Sequence, residues 1–404
     1  MSSRCIIIGA GASYGYDNSL LEQEKPPLVM DFLSRSVRIG ALSDWKYPML
    51  FNALVDYTHS YGKDVYFFSD VDIEDFSLYL RDQINRISGF VNSAFGYPRI
   101  PENLETEKSS IERLFFNSLS IIRNDTQKSE NQISDFDRLI KRLKKALGEL
   151  SYLIFEVLKK YSVAYRPHYD AYQRLALSHY KENYSLISLN YDVIFEAAAL
   201  SVGMKPVYVH QDIKNDDVSL QFIDPRSTIR LIKPHGSINW FKEIRMPPTS
   251  LDNSRNRGYK LLQFSSGRIW RRETLHDIPF FVPPSQLSSI DIQDLLMANT
   301  EVYTPSVSLL EREYVDGPPS TYLESNWKAV LESVSSASEI IIIGYKIRFI
   351  DRNLERLIRL YANKNVNVTV VGSRETKTGI EELLGHKIND LAFYRDFEDY
   401  SRQL

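Results

Sequence analysis

Cysteine is nearly absent from this chain, since Cys5 is the only one among 404 residues. A single cysteine excludes a disulfide framework and any zinc site built from four cysteines, and it is typical of a reducing compartment. Positive and negative charges also nearly balance, because the formal net charge is only −3. No strong overall field therefore attracts nucleic acid or an anionic membrane. No apolar run reaches the ~18 residues of a membrane span. We expect a cytoplasmic protein with no secretory signal, no membrane association and no sequence-specific nucleic acid binding.

Short apolar runs followed by turn residues are present instead. Hydrophobic residues make up 43% of the chain, which is typical of a globular protein, and five β-branched runs predict buried strands. The predicted strands cover residues 4–9, 184–189, 229–233, 339–344 and 366–371. Helical patterns alternate with them over residues 191–201, 322–335 and 351–362. This alternation predicts an α/β fold with a Rossmann-like doubly wound parallel sheet.

The segment between the first two predicted strands has a different pattern. Apolar side chains between residues 134 and 160 recur at steps of three and four, which predicts one long amphipathic helix. A second helix is predicted over residues 76–87. We therefore expect a large, mainly helical insertion over residues 15–183, which forms a cap or assembly subdomain. Residues 1–14 and 184–404 would together form the sheet core.

A glycine-rich turn follows the first predicted strand. It consists of Gly9, Ala10, Gly11, Ala12 and Ser13. Two glycines allow bare backbone amides to approach a ligand at the start of a helix, where a pyrophosphate binds favourably. The dehydrogenase fingerprint requires a third glycine, but Tyr14 occupies that position. A tight strand-to-helix connection without a ligand is the alternative interpretation of the turn taken alone.

Polar residues also follow the second and third predicted strands. Asn190 can position a water or a hydroxyl group because its amide both donates and accepts hydrogen bonds. Asp192 can accept from a carboxamide, or it can merely cap the following helix. His235, with an ordinary pKa near ~6.5, can act as a base at neutral pH, and a structural histidine is the alternative. The segments SLNYD and KPHGS contribute the candidate site residues Ser188, Asn190, Tyr191, Asp192, His235 and Ser237.

Two weaker clusters follow the last two predicted strands. Gly344 and Tyr345 end the fourth strand, and Asp351 begins the next predicted helix. Gly372 and Ser373 follow the fifth strand. Because the carboxyl ends of parallel strands meet at one edge of a sheet, a ribose or an adenine could lie there. Neither cluster is diagnostic by itself.

Together, the motifs GAGAS, SLNYD, KPHGS, IIIIGY and VVGS resemble, in order and spacing, the NAD-binding domains of the sirtuin-like family. The resemblance covers the sheet core and not residues 15–183. It is similar to the prokaryotic branch of the family that is associated with NAD hydrolysis in anti-phage defence. The resemblance implies NAD as substrate, with its pyrophosphate against the amides of residues 11–13. We further expect the helical insertion to form a homo-oligomer and to gate the activity, through self-assembly or through a partner. Related chains of this layout can be encoded beside a HerA-type ring ATPase, which is the candidate partner.

The resemblance implies roles for three catalytic residues. Asn190 would hold the attacking water or a ribose hydroxyl, His235 would accept its proton, and Asp192 would bind the nicotinamide carboxamide. The chain departs from protein-deacylating sirtuins because one cysteine cannot supply two zinc-binding pairs, so we expect no zinc. Residues 14–19 also replace the proline–aspartate–phenylalanine–arginine segment of those enzymes. Lys346 stands where related chains often carry serine, which puts a ribose contact there in doubt.

Several functions stay open at this point. An NAD+ glycohydrolase that yields nicotinamide and ADP-ribose is favoured. An NAD-dependent deacylase or ADP-ribosyltransferase is an alternative, against which the missing zinc module and the missing arginine-bearing segment count. A non-catalytic assembly subunit that binds NAD or ADP-ribose is a further alternative. The glycine pattern disfavours a dehydrogenase.

Overall fold

The structure, a computed structural model, describes most of the chain. The described residues are 4–95, 130–182, 184–209, 227–244, 259–264, 267–272, 280–290, 302–307, 321–346, 352–361, 366–386, 388–389 and 392–404. Among the helices of these stretches, none combines the length and the apolar character that crossing a bilayer requires.

A seven-stranded parallel sheet forms the centre of the fold. In chain order, the strands of the described residues are β1 (Arg4–Ile8), β2 (Tyr184–Ser188), β3 (Lys205–Tyr208), β4 (Thr228–Ile232), β5 (Gly236–Ile244), β6 (Tyr259–Phe264), β7 (Gly267–Arg272), β8 (Phe280–Phe281), β9 (Val302–Val307), β10 (Glu339–Ile343), β11 (Asn367–Val371) and β12 (Phe393–Tyr394). The sheet has the order β12-β11-β10-β1-β2-β4-β3, and every neighbouring pair is parallel. The predicted Rossmann-like sheet is confirmed, and each of the five predicted strands ends within one residue of the observed one.

Strand β1 lies in the middle of the sheet because its residues are apolar on both faces. Ile6 lies opposite Ile341 of β10 on one side and Leu186 of β2 on the other. From β1 the chain proceeds toward β2 and β4, whereas β10 leads to β11 and β12 on the opposite side. The order therefore reverses between β1 and β10, and open α/β sheets bind ligands outside the carboxyl ends of such strands.

Helices cover both faces of this sheet. In chain order, the helices of the described residues are α1 (Ala10–Tyr14), α2 (Phe32–Arg38), α3 (Pro48–Tyr61), α4 (Ile73–Phe95), α5 (Glu130–Ala164), α6 (Ala171–Ser178), α7 (Ile194–Ser201), α8 (Thr321–Ser336), α9 (Arg352–Tyr361), α10 (Arg374–Leu384) and α11 (Phe397–Ser401). Ile6 and Ile8 of β1 pack in one apolar cluster with α6, α7 and α11. Cys5 and Ile7 point to the opposite cluster, which includes α8, α9 and α10. Successive side chains of this strand are thus buried on opposite faces of the sheet, each face under a different layer of helices.

The helices of the predicted insertion form a separate apolar cluster. Side chains of α2, α3, α4 and α5 pack together, and Ile238 and Phe241 of β5 join them. The long helix extends further than its predicted range, since α5 covers Glu130–Ala164. Helix α6 also belongs to residues 15–183, but it packs on the parallel sheet and not with this cluster. The segment predicted as an insertion therefore contributes one helix to the layer that covers the sheet.

Two antiparallel sheets complete the described fold, and the sequence patterns did not predict them. Strands β8, β5 and β9 form one, with β5 in the centre. Strands β6 and β7 form a two-stranded pair. Strand β5 begins at Gly236, directly after His235, so the antiparallel sheet continues from the edge at which the candidate residues lie.

Candidate functional site

All five predicted motifs lie at the carboxyl edge of the parallel sheet, four of them after β10, β1, β2 and β4 and the fifth, at Gly372, after β11. Gly9 directly follows β1, and Gly344 directly follows β10. Asn190 lies two residues after β2, and His235 lies three residues after β4. Because these strands are neighbours in the order β10-β1-β2-β4, the motifs share one edge. The structure thus brings together segments that are more than 300 residues apart in sequence.

The glycine turn packs tightly against the turn after β10. The amide of Gly11 donates to the carbonyl of Gly344 at 2.8 Å, and the amide of Ala12 donates to the carbonyl of Gly9 at 2.8 Å. A Cβ atom added at Gly9 or Gly11 would lie 2.8 Å from the Gly344 oxygen, so only glycine fits. Two of the amides expected to receive a pyrophosphate are therefore already hydrogen-bonded. The Ala10 amide donates no hydrogen bond among the described residues.

Asn190 is bonded to the glycine turn through both hydrogens of its side-chain amide. Its Nδ2 donates to the carbonyl of Gly9 at 3.0 Å and to the Oγ of Ser13 at 2.9 Å. The side chain is buried, and its backbone amide donates to the Oγ of Ser188 at 3.3 Å. Since both donors of Nδ2 are used, Asn190 can contact a further ligand only as an acceptor, through Oδ1.

A tyrosine from the segment predicted as an insertion extends this network. The hydroxyl of Tyr172, on α6, lies 2.8 Å from the Oγ of Ser13. Burial raises the pKa of Tyr172 well above its ordinary value, so the phenol stays neutral and keeps its hydrogen. Sequence reasoning missed Tyr172, because nothing in its local pattern indicates a contact with residue 13.

Asp192 lies at the start of α7 and is buried. Its Oδ1 accepts from the amide of Ile194 at 3.1 Å, which satisfies one free donor at the helix start. Burial raises the pKa of Asp192, whereas the nearby Lys233 ammonium and the hydrogen bonds from Ile194 and Ser13 act in the opposite direction. The helix begins at Ile194, three residues later than predicted, because residues 190–193 form the turn that carries this polar cluster.

His235 lies in the turn that joins β4 to β5, and the side chain is only 6% exposed. Its ring is 5.8 Å from the ring of Trp327 in an edge-on arrangement and 6.4 Å from the ring of Tyr191. The Oγ of Ser237 donates to the carbonyl of Tyr191 at 3.2 Å, and the amide of Ile238 donates to the same carbonyl at 2.9 Å. The KPHGS and SLNYD segments are therefore joined directly.

A buried lysine that the sequence analysis did not propose as a site residue lies beneath these two segments. Lys233 is fully buried, and its Nζ is 2.8 Å from Oε1 of Glu196. Its backbone amide donates to Oδ1 of Asn326 on α8 at 3.1 Å. A lysine inside the apolar run IRLIK was the available signal, since lysine is rarely buried without an ion-pair partner.

The remaining candidates divide between the site and the neighbouring strand. Gly344 and the buried Tyr345 lie against the glycine turn. Gly372 follows β11, one strand further out, and Ser373 accepts from the amide of Thr376 at 3.1 Å as the cap of α10. Asp351 lies outside the described residues.

The described residues offer no ready metal centre. Within them, no three or more His, Cys, Asp or Glu side chains are grouped so that they could hold a metal ion. The chemistry available at the carboxyl edge is therefore that of a buried amide, a carboxyl group, an imidazole and backbone groups.

Comparison with known proteins adds little to this geometry. No protein-family model matches the sequence, and no curated protein matches it. Among the solved structures that match is that of a Sir2 mutant with a p53 peptide and NAD. The identity is 13%, the match covers 60% of this chain and 71% of that one, and the TM-score is 0.31. The fold assignment rests on the strand order and pairing described above.

Proposed function

We propose that the protein is an NAD+ glycohydrolase that cleaves the bond between nicotinamide and ribose and releases nicotinamide and ADP-ribose. The observation that carries the proposal is the pair of hydrogen bonds from Asn190 to Gly9 and Ser13. These bonds join the glycine turn to the SLNYD segment, and the bonds of Ser237 and Ile238 join that segment to the turn of His235. One dinucleotide could therefore contact all three motifs.

In this proposal NAD lies across the carboxyl edge, where the strand order reverses between β1 and β10. The pyrophosphate lies over the glycine turn, where the Ala10 amide donates no hydrogen bond among the described residues. The adenosine half extends toward the turns after β10 and β11, which contain Gly344 and Gly372. The nicotinamide half extends toward Asn190 and His235. Ligand binding outside the carboxyl ends of parallel strands supports this placement.

The proposed chemistry needs no acid, because nicotinamide leaves as a neutral molecule from a cationic ring. The C1′–N bond breaks as the ring recovers its electron pair, and positive charge develops on the ribose. Oδ1 of Asn190 accepts from the attacking water and holds it beneath C1′. The water oxygen bonds to C1′, and His235 accepts its proton. Asp192 already accepts from Ile194 and Ser13, and it would bind the carboxamide through the remaining acceptor capacity of its two oxygens.

We further propose that the helical insertion gates the activity through self-assembly, in a bacterial anti-phage defence role. Uncontrolled cleavage would deplete the cell of NAD, so an enzyme of this kind requires regulation. Large aromatic side chains on the helical region support an assembly surface, since Trp45 is 75% exposed and Tyr66 is 85% exposed. A HerA-type ring ATPase is the candidate partner. Light scattering with and without NAD tests the self-assembly, and a fully active monomer would contradict it.

Nicotinamide release by purified variants tests the proposed function. General-base catalysis increases a reaction rate by about 10²–10⁴-fold. His235→Ala is therefore expected to lower kcat by roughly that factor, while the Kd for NAD changes little. Asn190→Ala is expected to do the same, because the water loses its acceptor. His59→Ala is the matched control, since this exposed histidine lies on α3, away from the carboxyl edge.

The outcomes separate the candidate functions. Loss of turnover with retained NAD binding in both site variants supports the proposal. Near-normal turnover in either variant contradicts the assigned roles. Nicotinamide release that requires an acyl peptide indicates a deacylase, and release that requires a protein acceptor indicates an ADP-ribosyltransferase. NAD binding by the wild type without nicotinamide release, even with partner proteins present, indicates a binding subunit.

A further inference from the structure

The ammonium of Lys233 joins the loops of Asn190 and His235. It donates to the carbonyl oxygen of Asp192 at 2.7 Å, to Oε1 of Glu196 at 2.8 Å and to Oγ of Ser237 at 2.9 Å. An ammonium group has three hydrogens, so each donor has an acceptor. Asp192 belongs to the SLNYD segment, and Ser237 belongs to KPHGS. One buried cation therefore holds both segments.

Stability alone does not explain this buried ion pair. Glu196 supplies the opposite charge and also accepts from the hydroxyl of Tyr208 at 3.0 Å. Removing two charges from water costs about as much as their attraction returns, and apolar residues of similar volume are often as stable or more stable. What apolar residues cannot supply is a directed bond to the Asp192 carbonyl and the Ser237 hydroxyl.

We infer that Lys233 is a positioning residue that fixes the loop of Asn190 relative to His235. The inference rests on the proposed function, because the two loops would meet on the same NAD molecule. Ser237 continues the link, since its Oγ accepts from Lys233 and donates to the carbonyl of Tyr191. Without the ammonium, both segments keep their strands and the two bonds to the Tyr191 carbonyl, but they lose the bridge from the Asp192 carbonyl to Ser237 that supports those bonds.

Two variants separate positioning from stability. Lys233→Met removes the three donors and leaves Glu196 buried without its counter-charge, so the thermal midpoint is expected to fall. The double variant Lys233→Met/Glu196→Met removes both charges, and Tyr208 keeps Nδ2 of Asn239 at 3.1 Å. We expect the double variant to recover most of the thermal midpoint. Its kcat is expected to stay about 100-fold low with little change in KM, because a displacement of about 1 Å costs that much.

Amide hydrogen exchange supplies a readout that does not depend on activity. The amide of Ile238 donates to the Tyr191 carbonyl, so its exchange reports whether the two segments stay together. We expect the exchange of this amide to become about tenfold faster or more in the double variant, while the amides of β1 stay protected. Lys46→Met is the matched control, because it breaks the Lys46–Glu156 ion pair within the helical region.

The results decide between the two roles. Recovered stability with slow turnover and fast Ile238 exchange supports positioning. Recovery of both stability and turnover in the double variant, or unchanged Ile238 exchange, overturns the inference. Fast Ile238 exchange in the Lys46→Met control also overturns it, since the effect would not be specific to Lys233. If the wild type releases no nicotinamide, the proposed function fails, and the exchange experiment still tests what Lys233 does to the two loops.

Discussion

The backbone of Gly344 lies directly against the backbone of Gly11. The Gly11 amide donates to the Gly344 carbonyl at 2.8 Å, and a Cβ atom added at Gly344 would lie 2.3 Å from the carbonyl carbon of Gly11. Gly344 also has φ +60°, a conformation that favours glycine. The contact holds the turn after β10 against the turn after β1, at the point where the strand order reverses.

Gly344→Ala is expected to destabilise the fold by about 3 kcal/mol or more, because it adds a backbone clash to the strain of a positive φ. Gly62→Ala is the matched control, since Gly62 has φ +63° but no atom within 4 Å of an added Cβ. That variant is expected to cost only about 1 kcal/mol. Urea unfolding of both variants measures the difference, and equal losses would contradict the close contact.

Asn190→Asp tests the direction of the hydrogen bonds at the glycine turn. The new carboxyl oxygen would face the carbonyl oxygen of Gly9 in place of a donor, so the variant is expected to lose about 1–3 kcal/mol more than Asn190→Ala at neutral pH. Burial would raise the folded-state pKa of the new carboxyl group. The extra loss of stability that comes from ionising this carboxyl group is therefore absent below its unfolded-state pKa of ~3.9. It grows as the pH rises toward and through the folded-state pKa. Urea unfolding of both variants at several pH values measures the difference, and an Asn190→Asp variant no less stable than Asn190→Ala at neutral pH would contradict the assigned bonds.

His168 provides a pH-dependent contact beside the segment that follows the glycine turn. Its Nδ1 lies 2.8 Å from the carbonyl oxygen of Arg166, and its Nε2 lies 3.0 Å from Oδ2 of Asp17. Both partners are acceptors, so only the protonated ring can donate to both. The hydrogen bond to Arg166 and the charges of Asp17 and Asp170 raise the pKa of His168 above 6.5.

A group whose pKa is higher in the folded than in the unfolded protein stabilises the fold fully at pH values below its unfolded-state pKa. This stabilisation is lost as the pH rises through the folded-state pKa. The thermal midpoint of the wild type should therefore exceed that of His168→Gln on the acid side of 6.5. The gap should close as the pH rises above that value. Thermal scans of both proteins across the range measure the gap, and a gap that widens with pH would contradict the contact.

Cys5 is expected to be unreactive in the folded protein. The side chain is fully buried in β1, and burial raises the pKa of the thiol to about 12, so almost no thiolate forms at neutral pH. Labelling with a thiol reagent should be negligible in buffer and stoichiometric in denaturant. Because Cys5 is the only cysteine, the label reports global opening of the central sheet. Rapid labelling in buffer would show that β1 is accessible.

The sheet could be predicted because each strand has a local signal. The run Arg4–Ile8 is apolar on both faces, and a turn follows it at once, so neighbouring residues alone indicate a central strand. Polar residues after such strands must share one edge of a parallel sheet. That rule predicted the meeting of the glycine turn with Asn190, which the bond to Gly9 demonstrates.

The other features of the fold and of the site could not be predicted, because they depend on long-range contacts that have no local sequence signal. Tyr172 reaches Ser13 across 159 positions of sequence, from a helix that the sequence pattern grouped with the insertion. Strand β5 pairs with β9 rather than with a neighbour joined by a tight turn, so no hairpin pattern indicates the pair. The three bonds of Lys233 depend on how β4, α7 and β5 pack, which apolar periodicity does not encode.

The products formed when purified wild-type protein is incubated with NAD decide whether the protein is an NAD+ glycohydrolase. Without any acyl peptide or protein acceptor, we expect one free ADP-ribose for each nicotinamide released, measured by mass spectrometry. His235→Ala should form neither product at a comparable rate. Intact NAD after prolonged incubation, in every assembly state and with partner proteins present, would contradict the account.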